Sequence, residues 1–365
     1  MMTKKNEYFP QSVTHPGLDL TEKLGELGMG PKEFAVRTNK PEKTITAILK
    51  GESSITPDMA VQFENVLKIP AHFWLNRQRS YDEYIARIKR DKVIDEAITW
   101  SSNFPLNDMV KKGWLPKSKS PKEKAASLLS YFSFSNHLAW QDFYIQCQLK
   151  LEFRISLAHT KDPYSISAWL RNGEIQSANL SSTPYSEKIF KASLPTLKKI
   201  MAEHPADYFT KLKEVCLNAG VKVVYTPCLP GSPISGATRW INDSPLIQLS
   251  GRFKRNDSFW FTFFHEAGHI LLHGKKDIFL EDVKYKDYDD DKEKEANNFA
   301  IRWTLTIEEE LEISKTYPLT VASVIAFANK FGTHPAIIIG RFQHRKRILQ
   351  SVGRDLIKPI NLDNV

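Results

Sequence analysis

The stretch Phe259-Trp260-Phe261-Thr262-Phe263-Phe264-His265-Glu266-Ala267-Gly268-His269-Ile270-Leu271-Leu272-His273-Gly274 constrains this chain more than any other. It is apolar on nearly every side, and a helix of that kind is normally buried. Within it stand two histidines four residues apart, with a glutamate directly after the first. Positions i and i+4 share a helix face one turn apart, so both imidazoles can reach one metal ion. The glutamate points aside from that pair, where it can take a proton from water. A fold that buries such groups must give them partners, and a metal ion is one.

A catalytic zinc takes three protein ligands and keeps a position for water. His273 does not supply the third, because eight residues of helix span about 12 Å while zinc–nitrogen bonds are about 2.0–2.1 Å; it reads as a packing or cap-region residue. A downstream carboxylate is expected instead, in Asp287-Tyr288-Asp289-Asp290-Asp291 or in Lys292–Ala300. The aspartates suit a helix N-terminus, and Ala296, Phe299, Ala300 and Trp303 give that helix a buried face. Glu293 and Glu295 flank the face on opposite sides, and periodicity leaves both open.

Ahead of the motif the pattern is α+β. Tyr208–Ala219 reads as an amphipathic helix ended by Gly220, and Val221–Tyr225 as a strand. Gly236–Ile241 and Leu246–Leu249 are expected to pair across the turn-forming cluster Asn242-Asp243-Ser244-Pro245. Asn256-Asp257-Ser258 is the expected N-cap of the motif helix and Gly274 its stop. An edge strand beside such a helix can hold an extended peptide by backbone pairing.

From Pro16 to about Arg90 the chain reads as five short helices. Leu18, Leu20, Leu24 and Leu27 are expected on one apolar face, Pro31 at a first helical turn, and Phe34-Ala35-Val36 on the next buried face. A third helix, Glu42–Lys50, ends at Gly51; Thr56-Pro57-Asp58 opens a fourth through Leu67; Pro70 opens a fifth containing Phe73, Trp74 and Leu75. Two short helices joined by a tight break within such a unit describe a helix-turn-helix.

Residues 91–195 are expected to form a helical connector. It contains helices at Ala125–Phe132 and Tyr164–Asn172 and a basic, breaker-rich linker at Pro116–Pro121. Trp140, Trp169 and His159 are assigned no chemistry. At the C-terminal end, Val321–Phe331 and a helix to His344 flank Gly332-Thr333-His334-Pro335. Arg341, Arg345, Lys346 and Arg347 read as a solvated helix end.

A length of 365 residues predicts two or three domains. The net charge of +9 favours an acidic partner such as nucleic acid, although the excess is spread along the chain. Cys147, Cys216 and Cys228 are few, odd in number and lack CxxC spacing, so neither a disulfide framework nor a cysteine zinc site is indicated, and a reducing, cytoplasmic setting fits. No stretch approaches membrane-spanning length and no targeting segment opens the chain, so no membrane partner is expected.

The N-terminal part resembles the XRE-type DNA-binding domain of HigA-like antitoxins. The likeness rests on His15-Pro16-Gly17, Lys43–Gly51, Ile55–Ala60 and Phe73-Trp74-Leu75-Asn76. It implies double-stranded DNA as a partner, with Glu42–Lys50 as recognition helix and Lys43, Thr44 and Thr46 facing the duplex. Pro31 and Pro41 depart from the polar residues usual at those positions, and Glu42 adds negative charge near the phosphates.

The C-terminal part resembles the ImmA/IrrE metallopeptidases, from about 205 to 350. The likeness rests on Ser235–Trp240, Gln248, His265-Glu266-Ala267-Gly268-His269, Glu293–Ala300 and Gly340-Arg341-Phe342-Gln343-His344. It implies Zn2+ or Mn2+ held by His265, His269 and Glu293, supported by Asn297, with Glu266 as catalytic base. Arg239 and His344 are candidates for oxyanion stabilisation, each more simply structural.

The expected fold is mainly α with a small β-sheet (α+β). It comprises a helix-turn-helix domain at 13–90, a helical connector at 91–195 and a zincin-like metallopeptidase domain at 196–350. The resemblances imply a DNA-binding regulator, with room for a homodimer, whose narrow-specificity metallo-endopeptidase cuts an XRE-type repressor or antitoxin-like protein. The alternative is a non-hydrolytic DNA-binding repressor or antitoxin whose metallopeptidase-like domain senses a ligand or metal.

Overall fold

The computed structural model describes residues 12–144, 163–231, 234–274, 279–280, 290–316, 318–360 and 362. Cys147, His159 and Asp287–Asp289 lie outside these. The chain divides into two compact units between Glu96 and Ala97.

The first unit holds α1 (Pro16–Glu26), α2 (Pro31–Arg37), α3 (Glu42–Leu49), α4 (Pro57–Leu67) and most of α5 (Ala71–Ser101). Its punctuation is local chemistry. Pro31 sits in the first turn of α2, and Thr56 caps α4 by accepting from the Met59 amide. Leu20, Leu24, Phe34, Ile45, Ile48, Phe63 and Trp74 close one core. Two expected faces are narrower than the sequence suggested. Leu18 and Leu27 are about half exposed and Val36 is 76% exposed, because helices of 7 to 11 residues turn only one stripe inward in so small a core.

The second unit contains α6 (Leu106–Lys111), α7 (Pro121–Phe132), α8 (His137–Trp140), α9 (Pro163–Ala178), α10 (Glu187–Glu203) and α11 (Tyr208–Asn218). Strands β1 (Lys222–Tyr225), β2 (Gly236–Ile241) and β3 (Ser244–Leu249) follow, then α12 (Asn256–Leu272), β4 (Phe279–Leu280) and α13 (Asp290–Thr304). Helices α14 (Ile307–Ser314), α15 (Val321–Phe331) and α16 (Pro335–His344) complete it.

The sheet order is β1-β3-β2-β4, with β1 parallel to β3 and the other pairs antiparallel. The β2–β3 turn is tighter than the expected cluster. Asn242 and Asp243 alone take positive φ, and Ser244 and Pro245 already pair with Ile241 and Trp240. Strand β4, which hydrophobic patterning does not flag, covers β2 along Ala237 and Thr238.

Side-chain alternation on β2 and β3 sends neighbours to opposite helices. Ile247 and Leu249 join the core that contains Phe259, Phe263 and Phe264 of α12. Gln248, between them, donates to the Trp169 carbonyl of α9 at 2.7 Å. Further bonds tie α9, which falls in the expected connector, to the strands: Trp169 Nε1 donates to Thr226 and Gln176 Nε2 to Tyr225, each at 2.8 Å. Of the segment Pro116–Pro121, Pro116–Ser120 is a short loop whose Ser120 caps α7, and Pro121 is the first residue of that helix.

Candidate metal centre

Helix α12 is buried along most of its length, including His265, Glu266 and His269. Asn256-Asp257-Ser258 does not cap it. The N-cap is Arg255, without a side-chain cap bond, because the polar side chains expected there are engaged elsewhere. Asn256 Oδ1 accepts from the Lys358 amide, and Asp257 accepts two bonds from the Arg255 guanidinium.

Helix α13 lies against α12 where Gly268 removes a side chain. A Cβ there would stand 3.1 Å from Phe299 Cβ and 3.3 Å from Ala296 Cα. The close approach carries Glu293, 6% exposed, to the histidines. Nε2 of His265 and Nε2 of His269 are 2.9 Å apart, and Glu293 oxygens lie 3.2 Å and 3.6 Å from them. Glu295, the other carboxylate left open by periodicity, is 62% exposed at its side chain and meets His273.

Hydrogen-bond chemistry fixes the tautomers. Asn297 Oδ1 accepts, so His265 donates from Nδ1 at 3.2 Å and keeps its Nε2 lone pair. Glu295 Oε2 accepts from His273 Nε2 at 3.0 Å. With its Nε2–H engaged by Glu295, the His273 ring presents Nδ1 to accept from His269 Nδ1, also at 3.0 Å. Both Nε2 lone pairs and the Glu293 carboxylate therefore converge on one point. Acceptors that close repel each other unless a cation sits between them, so the residues present fit a metal ion. Burial, then the neighbouring His265 and His273, push the His269 pKa well below its usual value, holding it in the neutral form that ligates.

His273 was legible only as a cap-region residue. It is the C-cap of α12, and it also props His269. Nothing in the spacing of α12 announces Glu295 as its partner, since the pair is made between two helices.

Glu266 is wholly buried and faces β2, where Thr238 Oγ1 donates to its Oε2 at 2.6 Å. Arg239, one residue on, faces the other way: it bonds Glu174 at 2.8 Å and the Leu170 carbonyl of α9. Strand alternation thus takes Arg239 away from the histidines. His344 is exposed and lines a cavity bounded also by Thr262 and Asn297. The basic cluster beside it is not simply a solvated end, because Arg341, Arg345 and Arg347 surround the buried Glu310.

In the first unit, Lys43 is exposed and Thr44 and Thr46 half-buried on α3, while Ile45 and Ile48 enter the core. Pro41 is the N-cap of α3 and provides no side-chain cap bond.

A short two-helix element over a helical core, and a buried His-His-Glu group able to hold a metal, define a helix-turn-helix protein with a metallopeptidase-like domain. The family described as the IrrE N-terminal-like domain, a peptidase family, matches residues 216–339. The N-terminal part is 32% identical over 66 residues to the uncharacterized HTH-type transcriptional regulator YddM of Escherichia coli strain K12, a match covering 18% of this chain and 70% of that protein. An addiction module antidote protein of the HigA family from Coxiella burnetii is 38% identical, with a TM-score of 0.22, over 23% of this chain and 91% of that one. The Pseudomonas aeruginosa antitoxin HigA, solved with the higBA promoter, is 28% identical, with a TM-score of 0.22, over 23% and 94%. The chain belongs to the HTH-type transcriptional regulators and carries an IrrE-like peptidase-family domain in its C-terminal part. Among the described residues no helix is long and apolar enough to cross a membrane.

Proposed function

We propose that this protein is a DNA-binding transcriptional regulator whose IrrE-like domain is a metal-dependent endopeptidase acting on a regulatory protein. The observation that carries the enzymatic part is the convergence of His265, His269 and Glu293 beside a buried Glu266 held by Thr238. His265, His269 and Glu293 would hold the ion, and the two-nitrogen, one-oxygen donor set suits zinc, with manganese as an alternative. A metal bound there supplies Lewis-acid polarisation of the scissile carbonyl and makes water more acidic. Glu266 takes the proton of the attacking water on its carboxylate while Thr238 holds Oε2, then returns it to the departing amine. Asn297 fixes the ring of His265.

The DNA-binding part is supported by the α2–α3 element, by Lys43, Thr44 and Thr46 on α3, and by the name of the Escherichia coli relative, an HTH-type transcriptional regulator. An XRE-type repressor or antitoxin-like protein is the proposed substrate, and a homodimer on duplex DNA the proposed assembly.

The deciding experiment measures bound metal and cleavage of co-expressed regulatory proteins for the wild type and Glu266→Gln. The expected result is equal metal content and cleavage by the wild type alone. If both bind metal and leave every candidate intact, the enzymatic reading fails and the sensor reading survives.

A further inference from the structure

A cavity of about 730 Å³ opens beside the metal centre. Thr262, one helical turn before Glu266, and Asn297, which bonds His265, form its inner wall. Its far wall is α16, with Arg341, His344 and Arg345. A volume of this size falls in the range of ligand sites.

Among the described residues the charge of the walls is one-sided: Asp257 is the carboxylate in the lining, and Arg255 satisfies it with bonds of 3.0 and 2.8 Å. Behind α16, Glu310 is 3% exposed and faces three guanidiniums: Arg345 at 2.8 Å, Arg341 at 3.9 Å and Arg347 at 4.0 Å. One carboxylate cannot neutralise three cations, so among the described residues Arg341 and Arg345 bring a positive surplus to this end of the cavity. Arg341 is the most buried of them, with its side chain 10% exposed, and its Nη2 has no hydrogen-bond partner among the described residues. Burial of a guanidinium without a full set of acceptors is costly, and burial lowers the Arg341 pKa. Phe261, under the Arg341 guanidinium at 5.8 Å, adds an apolar floor. An aliphatic stem ending in a carboxylate satisfies both parts, and a guanidinium fork is matched to that group.

We propose that this cavity is a specificity pocket that receives an acidic side chain, Glu or Asp, of the polypeptide to be cut, with Arg341 as its principal anion contact. The assignment of the carboxylate to a substrate chain rests on the endopeptidase reading above.

The test uses the full-length, metal-loaded Glu266→Gln protein and measures binding of acetyl-hexaglutamate amide, acetyl-hexaglutamine amide and free glutarate by calorimetry. The expected result is that the acidic peptide binds at least about tenfold tighter than the neutral one, as a charge-assisted contact predicts. Arg341→Met is expected to remove that difference, and Arg341→Lys to restore part of it. Because Arg341 is buried, exposed His344→Glu provides a second variant that leaves the core untouched; it is expected to weaken the acidic peptide about tenfold without changing metal content. Equal affinity for the two peptides overturns the proposal, and so does glutarate binding as tightly as the peptide, which would assign the pocket to a small dicarboxylate. A peptide library offered to the wild type separates the two readings. Cleavage with no acidic preference removes the pocket and leaves the peptidase. Selective binding of the acidic peptide without cleavage of any library member removes the peptidase and leaves an acidic-chain pocket.

Discussion

His273 donates from Nε2 to Glu295 Oε2 at 3.0 Å, between the C-cap of α12 and the first half of α13. Through His273 Nδ1 the bond reaches Nδ1 of His269, so that an exposed carboxylate fixes the tautomer of a buried imidazole two contacts away. His273→Ala and Glu295→Gln are therefore expected to weaken metal binding by about 10–100-fold while the fold is kept. Competition against a chelator of known affinity measures this. Unchanged affinity in both variants would reduce His273 to a helix cap.

Gly236 of β2 lies against Glu266. A Cβ at this position would lie 2.5 Å from Glu266 Oε1 and 2.7 Å from Thr262 Cγ2. Gly236→Ala is expected to cost about 1–3 kcal/mol of stability, as overpacking generally does, and to abolish cleavage with metal still bound. Chemical denaturation and metal analysis of the same preparation check both halves.

Two histidines away from the metal centre, half-buried His204 and buried His334, predict acid sensitivity. His204 Nδ1 accepts from Trp260 Nε1 at 3.1 Å, and His334 Nδ1 accepts from the Ala336 amide at 3.0 Å, so each ring has its protonation site occupied by a donor. Burial first, then nearby positive groups, lower both pKa values to about 4. The unfolded chain takes these protons near pH 6.5. Between that pH and about 4 the unfolded state binds more protons, so stability present above pH 6.5 is progressively lost as the pH falls. Asn tolerates the left-handed backbone of His204 (φ 41°) and can cap α16 in place of His334. The double variant His204→Asn, His334→Asn is expected to flatten the fall in Tm seen for the wild type between these pH values, with both proteins in chelator. Parallel curves would count against the assignment.

On duplex DNA, Lys43→Ala is expected to reduce the slope of log K against log salt by about one. Glu42→Gln, at the exposed first turn of the same helix, should strengthen binding without sequence preference. A gel-shift series across salt concentrations tests both, and an unchanged slope would place α3 away from the phosphates.

Much of the metal centre could be read from residue spacing. His265 and His269 share a face because the helix repeat puts them there, and the apolar residues around them announced burial. For the third ligand, periodicity alone could not separate Glu293 from Glu295. They stand two residues apart on α13 and differ only in what packs against each: Glu293 meets the two Nε2 atoms, Glu295 meets His273. Arg239, a candidate for oxyanion stabilisation read more simply as structural, bonds Glu174 and Leu170 of α9, one step of strand alternation from the Thr238 that meets Glu266.

The sequence by itself therefore determined what local geometry determines: the helix breaks of the N-terminal unit, the β2–β3 hairpin, the paired histidines and the glutamate beside them. Proline, glycine and capping side chains act within a few residues, and helix and strand periods are properties of the backbone. Only the tertiary structure decided the contacts between elements. The approach of α13 to α12 at Gly268, the bond from Thr238 to Glu266, the Glu295–His273–His269 chain and the cavity ending at Arg341 all join residues that meet only after packing. Such contacts depend on which faces exclude water together, and no short window of sequence encodes that.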